Sequence, residues 1–372
     1  MKLGINGWRI HGRRTGVGRY ILNVVRHWTA EMCAGRFDQV TFYSPQPTNR
    51  EEIPLPQNIE ERVLASGLPM LVWENLRLGP AADDDVLFQP AYSIPLWRRG
   101  KTVVVSHDAA HELYPRLFPK SVRYFYAPLY RWSARHATFV ISDSEAGKQD
   151  VARKMGIPLS KIRVVHLAPD NFFRRRPDDA ILSQVRRQHL GSDVPFLLFV
   201  GKLSGRRSIP LLLEGFAGFK RATHLPHKLV VIGLNIHNID VARLIKDLGI
   251  EDEVMYPGYI SDEALNAFYH AATGLISPSI YETVCLPVME AQAAGAAVIC
   301  PDTAGMQEIT GGHALLLPKP EVPEMTNAIT KLAQDSALRR ALIAKSLVHS
   351  QRFSWERCSA ETLDVLEEVA RC

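Results

Sequence analysis

No apolar run in this chain of 372 residues approaches the ~20 residues that a membrane-spanning helix needs. Its five cysteines, at 33, 285, 300, 358 and 372, show neither metal-type nor redox-type spacing. An odd, scattered set fits a reducing interior and argues against a disulfide scaffold. No low-complexity tract appears, and no period suggests a solenoid. The start, Met1-Lys2-Leu3-Gly4-Ile5-Asn6, reads as a first strand and not as a signal peptide. We recognise no Asp-x-Asp site for a divalent ion, so no metal or other cofactor is expected.

What is present is ordinary globular composition, with 46% hydrophobic and 22% charged residues. The length exceeds one usual core, so two domains are expected. Charge is uneven: residues 1–180 hold 26 Lys and Arg against 18 Asp and Glu, within a net +5. That bias points to an anionic partner of the first half or to plain solvated surface charge.

The chain is organised around residues 277–309, SPSIYETVCLPVMEAQAAGAAVICPDTAGMQEI. An apolar run ends at Ser277. A loop follows, then a helix over Pro287–Ala294, a stop at Gly295, and a second apolar run over Ala296–Cys300. This is a strand–loop–helix–strand unit. Glu282 lies in the loop at the strand's carboxyl end, and Glu290 is expected in the first helical turn. Ligands of open parallel sheets bind at such an edge. A bland reading of Glu290, as an acid favoured by the helix dipole, is equally open at this point.

Further strands read at 1–6, Gln39–Tyr43, Asp85–Gln89, Thr102–Ser106, Thr138–Ser142 and Ile162–Val165. In the second half they read at Pro195–Val200, Lys228–Gly233, Glu253–Tyr256, Gly274–Ser277 and His313–Leu317. Pro45–Glu61 reads as loop, Ala168–Asp179 as linker, and Glu324–Ser346 as helical. Ser142-Asp143-Ser144-Glu145 has the form of a capping box. The Gly-rich basic segment His11–Tyr20 precedes a helical spacing at Ile21, Val24, Val25 and Trp28. It is either a phosphate-binding turn, at Gly16, Val17 and Gly18, or a tight turn without ligand. Gly201-Lys202-Leu203-Ser204-Gly205-Arg206-Arg207 follows a buried strand and opens a helix. It reads as a polyanion cradle, with a solvated basic loop as the alternative. His107 ends a central strand, where it either faces a ligand or is structural. Ser121–His136 interleaves aromatic and basic residues. Such a helix either packs its rings inward, with Pro128 near a kink, or lies on an anionic membrane. Nucleic acid is the weaker partner class.

Glu282 and Glu290 in an E-x7-E array, followed by an A-x-A-x-G run, resemble the signature of the retaining nucleotide-sugar glycosyltransferases of family 4 (the group 1 transferases). The family's usual E-G-F-G-x-P is here Glu282-Thr283-Val284-Cys285-Leu286-Pro287. The resemblance implies a GT-B fold: α/β, with two Rossmann-like domains facing across a cleft and a C-terminal helix crossing back. The first, acceptor-binding domain would be 1–170 plus 355–372, and the donor-binding domain 171–354. It implies that Glu282 contacts the donor sugar and Glu290 the ribose hydroxyls. Lys202 and Arg207 would hold the diphosphate, in exchanged order relative to the family's Arg and Lys. Gly16, Val17, Gly18, Gly201, Thr283, Val284, Cys285 and Leu286 would line the donor, and Gly258 and Tyr259 would edge the base. His107 would lie near the donor sugar.

The implied activity is metal-independent transfer of a hexose from a UDP- or GDP-sugar, with retention, to a saccharide or lipid-linked acceptor in surface polysaccharide synthesis. The expected setting is cytoplasmic, with peripheral contact to the inner membrane face. An epimerase of the same fold and a non-catalytic nucleotide-sugar or polysaccharide binder are the alternatives. A dinucleotide dehydrogenase would leave the second half unexplained.

Overall fold

A computed structural model describes residues 1–11, 16–98, 100–191, 193–235, 238–258 and 260–372. The chain divides into two compact units, Met1–Ala168 with Phe353–Cys372, and Pro169–Arg352.

The first unit is built on seven parallel strands: β1 (Lys2–Asn6), β2 (Gln39–Ser44), β3 (Ile59–Val63), β4 (Val86–Gln89), β5 (Lys101–Ser106), β6 (Phe139–Ser142) and β7 (Ile162–Val164). Their order is β3-β2-β1-β4-β5-β6-β7. Strands such as Val86–Gln89 are buried along their whole length, which a parallel sheet covered on both faces requires. The order reverses between β1 and β4, and Leu3 and Ile5 pair there with Val86 and Phe88. The last helix, Trp355–Arg371, belongs to this unit. The Trp28 indole donates to the Ser359 carbonyl at 3.1 Å, and the Ser359 hydroxyl to the Val24 carbonyl at 2.7 Å.

The second unit holds six parallel strands: β8 (Phe196–Val200), β9 (Lys228–Ile232), β10 (Val254–Gly258), β11 (Gly274–Ile276), β12 (Ala297–Pro301) and β13 (Leu315–Leu317). Their order is β10-β9-β8-β11-β12-β13, with the reversal between β8 and β11. Leu197, Phe199, Leu213, Phe216, Leu229, Ile276, Ile299 and Ile329 share one core.

Three expectations are corrected and one is refined. Ile59–Val63 is a strand, not loop; its outer residues are exposed because it sits at the sheet edge. The helical stretch 324–346 is made of two helices. Helices Val322–Gln334 and Ser336–Ser350 meet at Asp335, whose carboxylate accepts from the Leu338 N–H at 2.8 Å and caps the second. The segment 168–179 is no free linker: Phe173 is buried, and His270 donates to its carbonyl at 3.0 Å. Finally, Asp83-Asp84-Asp85 does have the Asp-x-Asp form. It precedes β4, with Asp84 accepting from the Tyr43 hydroxyl and Asp85 from the Lys2 N–H. Among the described residues no group of three His, Cys, Asp or Glu is arranged to hold a metal. No described helix is long and apolar enough to cross a membrane.

Candidate functional site

The two strands that flank the order reversal in the second unit both deliver charge at their carboxyl ends. β8 runs into Gly201, whose φ of 151° suits glycine. The chain then turns through Lys202, which is exposed, into a short 3-10 turn at Gly205–Arg207. β11 runs into Ser277 and the loop to Cys285, after which the helix Leu286–Ala293 begins.

The two segments meet at Glu282. Its carboxylate is only 6% exposed and lies between two guanidiniums. Arg207 Nη1 is 3.1 Å from Oε1, and Arg206 Nη1 is 3.3 Å from Oε2. Arg207 also donates to Ser279 Oγ at 3.3 Å and to Cys285 Sγ at 3.5 Å. Burial works against its charge, but the facing Glu282 and Cys285 more than offset that and raise its pKa. A buried carboxylate with two arginines leaves one net positive charge at a sheet edge, the requirement for meeting an anion.

Glu290 does not occupy the first helical turn. It lies farther along Leu286–Ala293, buried, with Oε2 accepting from the Tyr269 hydroxyl at 2.8 Å. The Tyr269 hydrogen bond, not the dipole, therefore orients it. Thr283 and Cys285 are buried, while Val284 and Leu286 are half-buried. Gly258 ends β10 with φ 76° and accepts from the Gly233 N–H at 2.9 Å, so it belongs to a strand and not to a loop. Tyr259 lies outside the described residues.

The structure thus brings Arg207, Glu282 and Cys285 together and sets Glu290 on the next helix. The remaining expected residues lie in the first unit. Gly16, Val17 and Gly18 are the opening turn of the helix Gly16–Arg26, where a loop was expected; residues 12–15 before them lie outside the described residues. His107 follows β5. Its Nδ1 is 2.8 Å from the buried Asp143 carboxylate and its Nε2 is 3.0 Å from the Pro90 carbonyl. The Pro90 carbonyl can only accept, so Nε2 carries a proton. Burial opposes a charge on the ring, but Asp143, with its hydrogen bond, and the Pro90 carbonyl raise its pKa above the ordinary value; burial raises that of Asp143 as well.

Three residues of the site escape sequence reasoning. Arg206 is visible only as one more cation in a basic turn. Tyr269 looks like a core residue of the helix Asp262–Ala271 beside Leu265 and Phe268. Gly305 carries no signal at all, yet a Cβ there would stand 2.5 Å from the Glu282 carbonyl oxygen and 2.8 Å from that of Thr283. The helix Ala304–Thr310 can back the Glu282 loop only because residue 305 has no side chain.

Comparison with known proteins agrees with this arrangement. Residues 14–170 match the model of glycosyltransferase family 4, and residues 183–347 match that of glycosyl transferases group 1. The chain is 25% identical over 369 residues to the O-antigen chain mannosyltransferase B of Escherichia coli, covering 94% of this chain and 95% of that protein. Among solved structures, HepE of Anabaena in complex with UDP-glucose is similar at TM-score 0.77 and 17% identity, over 98% of this chain and 100% of that one. Sucrose-phosphate synthase of Thermosynechococcus elongatus is similar at TM-score 0.75 and 18% identity, over 99% and 98%. The two doubly wound sheets, their order and the paired family matches give one conclusion: the chain belongs to the group 1 (family 4) glycosyltransferases, with the GT-B fold.

Proposed function

We propose that the protein transfers a hexose from a UDP- or GDP-sugar to a saccharide or lipid-linked acceptor, with retention and without a metal ion, in the assembly of a surface polysaccharide. The observation that carries this reading is the bracket of Glu282 by Arg206 and Arg207 at the carboxyl ends of β8 and β11. Cleavage of the bond between sugar and diphosphate sends its electron pair to the phosphate. Arg207, with Lys202, would meet that growing charge. The acceptor hydroxyl oxygen would form its bond to the anomeric carbon on the same face, passing its proton to the leaving phosphate. Glu282 would position the sugar, and Glu290, held by Tyr269, would accept from the ribose hydroxyls. His107, with both ring nitrogens engaged by Asp143 and the Pro90 carbonyl, would help to position the donor sugar and would not act as a base. The mannosyltransferase relative supports a hexose donor, and the HepE complex supports a uridine nucleotide.

Replacing Glu290 by Ala removes a charged acceptor of hydrogen bonds, an interaction of about 1.5–3 kcal/mol. Nucleoside diphosphate affinity is expected to fall at least tenfold for whichever of UDP and GDP binds the wild type. Titration calorimetry checks it, and an unchanged affinity would remove Glu290 from the donor site.

The lipid-linked acceptor brings a second expectation. Tyr124 and Phe125 are 67% and 60% exposed beside Arg123 and Lys120, a combination suited to an anionic membrane surface. Co-sedimentation with phosphatidylglycerol vesicles is expected to exceed that with phosphatidylcholine and to fall in the double variant Tyr124→Ser, Phe125→Ser. Equal partitioning to both vesicles would rule the contact out.

A further inference from the structure

The chain enters the second unit at Pro169 and leaves it at Arg352. The segment directly after the entry is clasped to that unit at several points. Asp170 Oδ1 accepts from the Phe172 N–H at 3.0 Å and caps the short 3-10 turn Asn171–Arg174. The Phe173 ring is buried. Arg174 donates through Nη2 to the Ser350 carbonyl at 2.8 Å and through Nη1 to the Ser350 hydroxyl at 3.2 Å. Ser350 ends the helix Ser336–Ser350, just before the exit. The guanidinium therefore ties the incoming segment to the outgoing one, within the second unit.

The helix Asp262–Ala271 holds the same segment. Asn266, Tyr269 and His270 follow the i, i+3, i+4 spacing and share one face of it. Asn266 Nδ2 donates to the Arg175 carbonyl at 2.9 Å, and His270 Nε2 to the Phe173 carbonyl at 3.0 Å. These two grip the backbone of the segment. The fully buried Tyr269 meets its side chain instead: the Phe173 and Tyr269 rings are T-shaped, with centroids 5.4 Å apart and planes at 88°. A tyrosine ring is rigid, so whatever fixes the ring also fixes the hydroxyl. That hydroxyl donates to Glu290 Oε2 on the next helix at 2.8 Å. The last torsion of a glutamate is broad, so a hydrogen bond of this kind decides which way its acceptor positions face.

We propose that Phe173 and Arg174, in the segment by which the chain enters the second unit, are positioning residues of the nucleotide site. Acting through Tyr269, they set the direction of the Glu290 carboxylate, and with it the preference for a ribose that carries its hydroxyls. The inference rests on the reading above, in which Glu290 accepts from the ribose.

The test is titration calorimetry with whichever of UDP and GDP binds the wild type, and with its 2′,3′-dideoxy analogue. The wild type is expected to prefer the ribose form by roughly tenfold or more, and Tyr269→Phe, which loses only the hydroxyl, by about twofold. In Phe173→Leu and Arg174→Ala, which keep Tyr269 and Glu290, the preference is expected to fall about threefold. A purely structural loss weakens both nucleotides by the same factor and leaves their ratio unchanged. Phe173→Leu opens space in the core, but half-buried Arg174 can be truncated without doing so, and one folded variant of the two suffices. The wild-type ratio in these folded variants, with or without a fall in Tyr269→Phe, overturns the inference and leaves the transferase reading intact. A wild type that binds neither diphosphate, or binds ribose and dideoxy forms alike, overturns the ribose role of Glu290 and this inference with it.

Discussion

Replacing Arg207 by Ala is expected to lower kcat by roughly 10²–10³-fold with a much smaller change in donor affinity, the effect of removing one preorganised donor from a developing oxyanion. Arg207 is half-buried and its guanidinium is fixed by Glu282, Ser279 and Cys285. A group held so firmly reorganises little as charge grows on the leaving diphosphate, so its contribution falls mainly on the transition state. Arg207→Lys is expected to recover only part of the rate, because a point charge cannot keep the forked contacts. Arg206→Ala should cost less, since Arg207 would remain on Glu282. Steady-state kinetics with the preferred nucleotide sugar checks all three. A kcat for Arg207→Ala within threefold of wild type would exclude Arg207 from leaving-group stabilisation.

The second large effect is on stability. Glu74 is almost fully buried, and burial raises its pKa from 4.5 to about 7, against the opposing pull of Ser93, Arg9 and Asn6. Between those two values the folded chain binds more protons at this position than the unfolded chain does. Stability therefore falls as pH rises from about 4.5 to about 7, by about 3 kcal/mol, and this loss is complete above that window. Glu74→Gln removes the titration and keeps the shape. Its amide oxygen can still accept from Asn6, and its NH2 can donate to the Ser93 hydroxyl. Its Tm should match wild type at pH 4 and exceed it by several degrees at pH 8. Parallel Tm–pH curves for the two proteins would contradict the burial of a titrating carboxyl here.

Much of this was legible in the sequence, for identifiable reasons. Fully buried parallel strands are continuous apolar runs, so Val103–Val105 and Val298–Ile299 announce themselves. β3 does not, because an edge strand with polar Glu60, Glu61 and Arg62 in succession has no apolar period. The Asp335 break is hidden because helical spacing continues on both sides of it. In the candidate site of the second unit, the spacing of Glu282 and Glu290 is a one-dimensional signal. That Glu282 is neutralised by Arg206 and Arg207, some 75 residues earlier, is not. The hydrogen bonds of Asn6 to Glu74 and to Gln89 join positions 68 and 83 residues apart, each of them an unremarkable polar residue in its own segment. Only the sheet brings them together.

The most direct test of the account is nucleoside diphosphate release. The protein is incubated with UDP- and GDP-hexoses, in EDTA, with and without the oligosaccharide or lipid-linked saccharide acceptors of O-antigen-type polymers. The account predicts release from one donor that depends on acceptor and on Glu290, with the product anomer matching the donor by NMR. It would be contradicted by sugar interconversion without acceptor, or by binding of NAD in place of any nucleoside diphosphate.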